Sequence, residues 1–381
     1  MASADASGAV PVDSAVSGAR RPRLTPAIAD VRRLVREALA SLDDEALPGP
    51  VLVALSGGAD STALAAALAF EAPRAGRRAG AIIVDHRLQA GSAEVAATAA
   101  ARARALGLDP VQVVPVAVEG TGGPEAAARA ARYTALRVAA EHHRSPAVLL
   151  GHTLDDQAET VLLGLVRGSG SGSLIGMRAS TPFRHDPHDP HPSPQWLRPL
   201  LGIRRETTRA ACADAGLDWW DDPQNADPAF TRVRVRATVL PLLEAELGPG
   251  IAEALARTAE QAQEDEAAFA AMIEETIDEL VEHAEGGVAI HARALAANPA
   301  ALRHRIIRHV AAAEFGVSLS RAHTIAIDAL ATDWHGQRGA DAPAVKVVRS
   351  GGLLVFTAAH QNAAADDADQ AWNDADRAQK E

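Results

Sequence analysis

Between Val51 and Gly151 the chain alternates short, unbroken apolar runs with segments of helical spacing. The apolar runs are Val51–Leu55, Ala81–Asp85, Val111–Val116 and Ala147–Leu150. None shows the polar alternation of a strand with one wet face, so they predict strands covered on both sides. The segments Ser61–Phe70, Ser92–Leu106 and Glu125–His142 predict the intervening helices, and a further helix is expected over Asp155–Arg167. This order predicts a doubly wound α/β domain with a parallel sheet, in which ligands gather at the C-terminal ends of the strands. Further on, Ile251–Glu285, Arg303–Phe315 and Ser320–Leu330 read as helices. Val345–Val348 and Leu353–Phe356, joined through Ser-Gly-Gly, read as a β-hairpin. The expected organisation is a disordered tail over 1–24, the α/β domain over 25–222 and a turn-rich linker over 223–250. A smaller, mainly helical domain with a terminal hairpin follows over 251–361, then an acidic tail over 362–381.

Composition changes this picture in three ways. Hydrophobic residues make up 48% of the 381 positions but aromatics only 3%, so the core is built from Ala, Val and Leu. A single cysteine, Cys212, excludes an intramolecular disulfide and any multi-cysteine metal site, and its Ala-rich surroundings predict a small buried residue. Lysine occurs only at positions 346 and 380, which leaves almost no candidate for a mechanism needing a protein lysine. The chain begins without a basic segment followed by an apolar one, and no apolar run has the ~18 residues of a membrane span. The expectation is a soluble cytoplasmic protein.

The net charge of -12 is unevenly spread. Ile251 to Gly287 holds eleven acids against one arginine, and His360 to Glu381 six acids against two bases. The remainder is slightly basic, so the total does not argue against a nucleic-acid partner. His185, His188 and His191 recur every third residue among prolines. They could share a face of a polyproline helix, yet a solvated loop is the favoured reading. Arg232, Arg234 and Arg236 alternate with valines. In an extended segment all three face one way toward phosphates, and in a helix Arg232 and Arg236 still align. Arg303, Arg305 and Arg308 form a second basic cluster. Trp219 and Trp220 are read as core packing.

The most informative segment is Val51-Leu-Val-Ala-Leu-Ser-Gly-Gly-Ala-Asp-Ser-Thr62. A buried strand runs into Ser56, Gly57, Gly58, Ala59 and Asp60, and a helix starts near Ser61. Glycines expose backbone amides to an anion, and the helix N-terminus adds unpaired N–H donors and a partial positive charge. This is neither the Walker A spacing nor G-x-G-x-x-G. An ordinary turn capped by Asp60 or Ser61 is the alternative. The second segment, Gly151-His-Thr-Leu-Asp-Asp-Gln-Ala-Glu-Thr160, follows the fourth strand. Asp155, Asp156 and Glu159 occupy neighbouring positions on one helix turn, where they can hold Mg²⁺ or accept a proton. Thr153 and Asp156 also fit a capping box.

Ser56-Gly-Gly-Ala-Asp-Ser61 resembles the pyrophosphate loop (PP-loop) of the N-type ATP pyrophosphatases, which cleave ATP to AMP and pyrophosphate while adenylating a substrate oxygen. Gly151 to Thr160, continued by Arg167-Gly-Ser-Gly170, resembles the tRNA(Ile)-lysidine synthetase branch. So do Glu125 to Tyr133, Val84-Asp-His86, Arg198-Pro-Leu-Leu201, Asp222-Pro-Gln-Asn225 and Arg232 to Arg236. The likeness covers Val51 to Leu243 well and the remainder loosely. Arg87 stands where the family pattern has a small residue, and Val233 where it often has Asn.

The resemblance implies an enzyme that uses ATP and Mg²⁺ to adenylate C2 of the wobble cytidine in the CAU anticodon of an isoleucine tRNA. Free L-lysine then displaces AMP. Catalysis would fall to Asp60, Asp155, Asp156 and Arg198, and metal binding to Asp60 and Asp156. Ser56 to Ser61, Asp85, His86, Gly151 and His152 would bind ATP, and Arg232, Arg234 and Arg236 the RNA. The alternatives are an amide-forming ATP pyrophosphatase of small metabolites, a tRNA thiolase, and a nucleotide-binding RNA module without turnover.

Overall fold

The computed structural model describes residues 24–43, 47–87, 89, 91–118, 123–168, 171–183, 193–284, 287–337 and 339–359. The predicted terminal tails fall outside these residues, save Leu24, and so does the His/Pro segment with His185, His188 and His191. The chain divides into two compact units, Met1–Leu163 with Gly176–Ala256, and Gly164–Ile175 with Arg257–Glu381.

The first unit opens with helix α1 (Pro26–Ala40). Thr25 caps it, Pro26 pre-sets its first turn, and Ile28, Val31, Val35 and Leu39 are buried at a helical period. Next come β1 (Val51–Ala54), α2 (Ala59–Glu71), β2 (Ala79–Asp85), α3 (Ser92–Ala105), β3 (Val111–Pro115), α4 (Pro124–His142), β4 (Ala147–Leu149) and α5 (Leu154–Arg167). All eight lie where the apolar pattern places them, to within two residues at either end. Two strands that the pattern does not announce follow, β5 (Ser180–Pro182) and β6 (Gln195–Leu197), then α6 (Arg205–Asp214). The sheet order is β3-β2-β1-β4-β6-β5; the first five strands run parallel, and β5 closes the edge antiparallel to β6.

Both faces of this sheet are covered, which is why its strands carry no alternation. Val51, Val53, Leu55, Ile83 and Leu149 face α1, α2, α3 and α6. Leu52, Ala54, Ile82, Val148 and Leu150 face Leu136, Ala139 and Ala140 of α4, with Trp196 and Tyr133. The unit continues through α7 (Thr231–Arg234), a π-helical turn (Val235–Val239) and α8 (Leu240–Leu247). The segment of Arg232 to Arg236 is therefore helical, and the aligned arginines are Arg232 and Arg236.

Helix α9 (Ile251–Leu280) leads into the second unit. The expected helix stops at Leu280 rather than Glu285, because Val281–Ala284 pairs as β7 with β8 (Gly287–His291). Tertiary strand pairing here overrides an Ala/Glu-rich stretch of good helix formers. Helices α10 (Ala292–Ala296), α11 (Ala300–Phe315) and α12 (Arg321–Thr332) follow, then β9 (Ala340–Ala342), β10 (Val345–Ser350) and β11 (Leu353–Ala358). The expected hairpin is the β10–β11 pair, and it sits within a five-stranded antiparallel sheet of order β7-β8-β11-β10-β9. Phe356, Ile290, Val345 and Val347 bury that sheet against Ile306, Ile307 and Val310 of α11.

Close backbone packing in the first sheet requires a glycine at position 80. A Cβ there would lie 2.6 Å from the Pro110 carbonyl oxygen and 2.8 Å from Leu52 Cδ2. Gly80→Ala is therefore expected to destabilise the protein by about 1–3 kcal/mol through overpacking. Thermal and urea unfolding measure this, and an unchanged midpoint would contradict the close approach.

Candidate functional site

Strand β1 ends beside β2, where the Leu55 N–H donates to the Ile82 carbonyl, and the chain turns at once into α2. Gly57 has φ +88°, a left-handed conformation that favours glycine. Ser61 closes the turn from inside: its Oγ accepts the Ser56 N–H at 3.2 Å and donates to the Gly58 carbonyl at 3.0 Å. The Gly57 carbonyl faces away and accepts the Trp220 N–H at 2.9 Å. Nothing lies within 3.7 Å of where a Gly58 Cβ would be. The result is a small-residue cradle on a helix N-terminus, the arrangement that holds phosphate.

Gly151, after β4, packs on the same helix end. A Cβ there would stand 3.1 Å from the Ser61 nitrogen and 3.2 Å from its Cα. That contact brings the start of α5 against the start of α2 and sets the first-turn acids of both helices side by side. Asp156 forms the expected cap, accepting the N–H and the hydroxyl of Thr153, each at 2.9 Å. Capping leaves its other oxygen available.

A residue that the sequence reading did not single out holds these acids together. Arg205, the first residue of α6, donates from Nε to Asp60 at 3.2 Å and from Nη2 to Asp156 at 2.9 Å, and lies 3.8 Å from Glu159. Its backbone N–H donates to Asp155 at 2.7 Å, so a carboxylate of α5 caps α6. Thr208, one turn along α6, donates its hydroxyl to Asp60. Glu159 is fully buried and takes Arg232 at 3.1 Å and Arg236 at 2.6 Å; Arg236 also reaches Asp156 at 3.3 Å. A cation at a helix start opposes the helix dipole. That broken local rule at Arg205 was the available signal.

The two acids facing the cradle are pushed apart in proton affinity. Burial raises the Asp60 pKa, only partly offset by the Thr208 hydroxyl and Arg205. Burial acts on Asp156 too, but Arg205, His152, the Thr153 N–H and Arg236 together hold its carboxyl below the usual range. Arg205 is raised despite burial, because Asp156, Asp60, Glu159 and Asp155 surround it. Burial lowers His152 to about 3, and lowers His86 with help from Arg132. Among the described residues, the Nδ1 atoms of both histidines are buried with no hydrogen-bond partner.

Two cavities meet at the cradle. One, of about 170 Å³, is lined by Ala54, Ile82, Val84, Val95 and Leu136, with Asp85 and His86 at its edge. The other, of about 470 Å³, is lined by Ser56, Gly58 to Ser61, Gly151, His152, Asp156, Arg205 and Arg236. Ser56, Arg132, Trp220 and Asp222 belong to both. A largely apolar hole joined to a polar, donor-rich cleft suits a nucleotide, with the base in the first and the phosphates in the second. Half-buried Arg132 has no carboxylate paired with it among the described residues, and burial lowers its pKa; it is a second cation that the sequence reading missed.

Several expected residues lie elsewhere. Arg198 donates to the Arg178 carbonyl and Thr181 Oγ1 behind the sheet edge, and lines neither cavity. Asp155 borders a separate cavity of about 160 Å³ with Glu159 and Glu244. Arg234 is exposed and bonds to the carbonyls of Pro228 and Ala229. Trp219 packs on the core as expected, but Trp220 forms cavity wall. Arg87 sits at φ +54°, a left-handed conformation uncommon for a residue with a side chain. Cys212 is buried as expected, its thiol on the Ala59 carbonyl, and burial with the nearby Asp60 pushes its pKa up to about 12.

Comparison with known proteins agrees with this geometry. Residues 31–243 match the PP-loop domain family and residues 290–355 the TilS substrate binding domain. A tRNA(Ile)-lysidine synthase of Leifsonia xyli subsp. xyli is 63% identical over 307 residues, covering 80% of this chain and 89% of that relative. Those of Salinispora tropica and Thermobifida fusca are 50% and 48% identical, covering 87% and 84% of this chain and 96% and 94% of theirs. Among solved structures, the U34-tRNA thiolase NcsA of Methanococcus maripaludis, with its 4Fe-4S cluster, superposes with a TM-score of 0.51 at 19% identity. It covers 62% of this chain and 80% of its own, a likeness of fold.

His152 yields a test on the protein without ligands. Its folded pKa lies far below the ordinary histidine value of ~6.5, so acid protonates the unfolded chain first. The stability that neutral His152 contributes is complete above pH ~6.5 and is lost as pH falls toward 3. Between pH ~6.5 and ~4.5, above the range in which Asp156 titrates, unfolding free energy should fall less steeply in His152→Asn than in the parent. Equal slopes in urea titrations across that window would remove the buried, neutral histidine.

Proposed function

The chain belongs to the tRNA(Ile)-lysidine synthase family, and from that premise we propose that it joins free L-lysine to C2 of the wobble cytidine in the CAU anticodon of an isoleucine tRNA, consuming ATP. The observation that carries the reading is the pair of carboxylates Asp60 and Asp156 beside an anion cradle. A cationic amine and a polyphosphate need those two environments next to each other.

The cytidine O2 is a poor leaving group. Its attack on the ATP α-phosphorus forms the O2–P bond and breaks the bond to pyrophosphate, which the amides and hydroxyls of Ser56 to Ser61 receive. Arg132, facing both cavities, neutralises the α-phosphate. The lysine ε-amine then forms the N–C2 bond, and AMP departs with O2. That amine has a reference pKa of ~10.4 and must shed a proton first. With no metal bound, Asp60 has the raised pKa of the two acids on the cradle and is the better acceptor, while Asp156 stays ionised and orients the cation. Arg205 spans both and keeps them in register.

No group of three or more His, Cys, Asp or Glu suited to a metal is present among the described residues. Two carboxylates on a phosphate cradle nevertheless fit Mg²⁺, which takes one or two protein ligands and draws the rest from phosphate and water. Asp60 and Asp156 would hold it, and it would offset phosphate charge. Arg232, Arg234 and Arg236 are proposed to meet the RNA; of the three, Arg236 lines the polar cavity. An unpaired anticodon base reaches such a cleft at small cost.

AMP release, followed with and without lysine and isoleucine tRNA, tests the reading. Efficient release should require both. A small-metabolite synthetase would turn over without RNA, and a binding module would release no AMP. Asp60→Asn should stay folded and lose about 10²–10⁴-fold in turnover. Cys212→Ser should retain lysine transfer with a modest loss of stability, whereas a thiolase relying on that thiol would lose activity.

A further inference from the structure

Among the described residues, Trp334 is more exposed than any other Phe, Tyr or Trp, at 39%. Tryptophan is highly buried on average, and its ring carries the largest apolar surface of any side chain. It follows α12, in the loop Trp334-His-Gly-Gln337.

That loop is built rather than slack. The Gln337 side chain donates to the Asp333 carbonyl at 2.7 Å and accepts the His335 N–H at 2.9 Å. Gly336 supplies a left-handed turn at φ +95°. From β10, Arg349 donates to the Leu330 carbonyl at 2.8 Å, at the C-terminal turn of α12, and so is fixed at a helix end that favours a cation. Its guanidinium carbon lies 5.5 Å from the centroid of the Trp334 ring, within cation–π range. The indole is thus steadied by a fixed cation and still accessible. Residues 290–355, which contain both side chains, match a substrate-binding domain.

We propose that Trp334 is a stacking platform for an unpaired base of the RNA substrate, with Arg349 steadying the indole. This rests on the reading above that the substrate is a tRNA. Single-stranded bases are commonly held by aromatic faces, and every base offers a π-face whatever its identity. A protein partner would be expected to cover a wider apolar patch. Here Arg349 lies beside a single ring, and the polar His335 and Gln337 share its loop.

The experiment compares the full-length protein with Trp334→Ala, Trp334→Phe and Trp334→Leu for binding to the isoleucine tRNA and to a blunt RNA duplex of similar length. Trp334→Ala should raise the Kd for tRNA by roughly 5- to 150-fold, the range for loss of one aromatic–base stack. Trp334→Phe should restore it to within a few-fold, and Trp334→Leu should stay near the alanine variant. The salt slope should not change, since no charge is removed. Duplex binding should be equal in all four proteins. ATP binding and unfolding midpoints report on folding, and the leucine–phenylalanine contrast holds even if alanine lowers stability. Abasic substitutions in each single-stranded region of the tRNA locate the base, because one of them should make the parent bind as weakly as the Trp334→Ala variant. Normal tRNA affinity in Trp334→Ala, equal weakening for duplex, or Leu performing as well as Phe overturns the platform while lysine transfer by the parent stands. A parent that binds no tRNA overturns both readings.

Discussion

The guanidinium of Arg205 meets acids from two helices, Asp60 of α2 and Asp156 and Glu159 of α5, while its own backbone N–H is capped by Asp155. Without a cation, those acids would repel one another in a partly desolvated cleft, where an unpaired ion costs several kcal/mol. The first-turn positions of Asp60 and Asp156 help, because a helix N-terminus favours negative charge. It does not neutralise so many acids. Arg205 supplies the missing charge, and Arg232 and Arg236 complete it around fully buried Glu159. Through these contacts Arg205 ties α6 to α5 and Arg232 ties α7 to α5.

The same lattice divides labour between the acids. One carboxyl, shielded by burial, binds protons more tightly; the other, ringed by cations and capping its own helix, binds them less tightly. Pairs of titratable groups driven in opposite directions are how a single cleft handles a proton and a cation together. The cradle beside them depends on small residues for a different reason. Gly57 must take a left-handed turn, and Gly151 must let two helix starts approach within van der Waals contact. A side chain at Gly57 would strain its left-handed backbone, and one at Gly151 would press on the start of α2.

Much of this was legible in the chain. Buried parallel strands carry unbroken apolar runs, and eight elements from β1 to α5 fell where those runs and helical spacings placed them. The loop from Ser56 to Ser61 and the acids of α5 were recognisable because their chemistry is local: glycines, a helix start and carboxylates one turn apart. Helix α1 is written just as locally, in Thr25-Pro26 and its buried period, yet it precedes the alternation that announces the other elements. Strands β5 and β6 were not legible, since three residues each leave no period to read and their pairing partners lie far along the chain. Strand β7 was hidden inside a stretch of helix formers.

What the sequence determined by itself is the doubly wound frame, the anion cradle at the end of its first strand and the acids that face it, each set by residues close together in the chain. What only the tertiary structure decided is which charges meet. Arg205 is 145 positions from Asp60 and 49 from Asp156, and no spacing rule links residues so far apart. Arg198, adjacent to the same motif, turns instead to the Arg178 carbonyl, and Asp155 turns to cap α6. Side chains of the same type in the same segment thus take different work, because the packing of strands and helices determines which of them can reach the cleft.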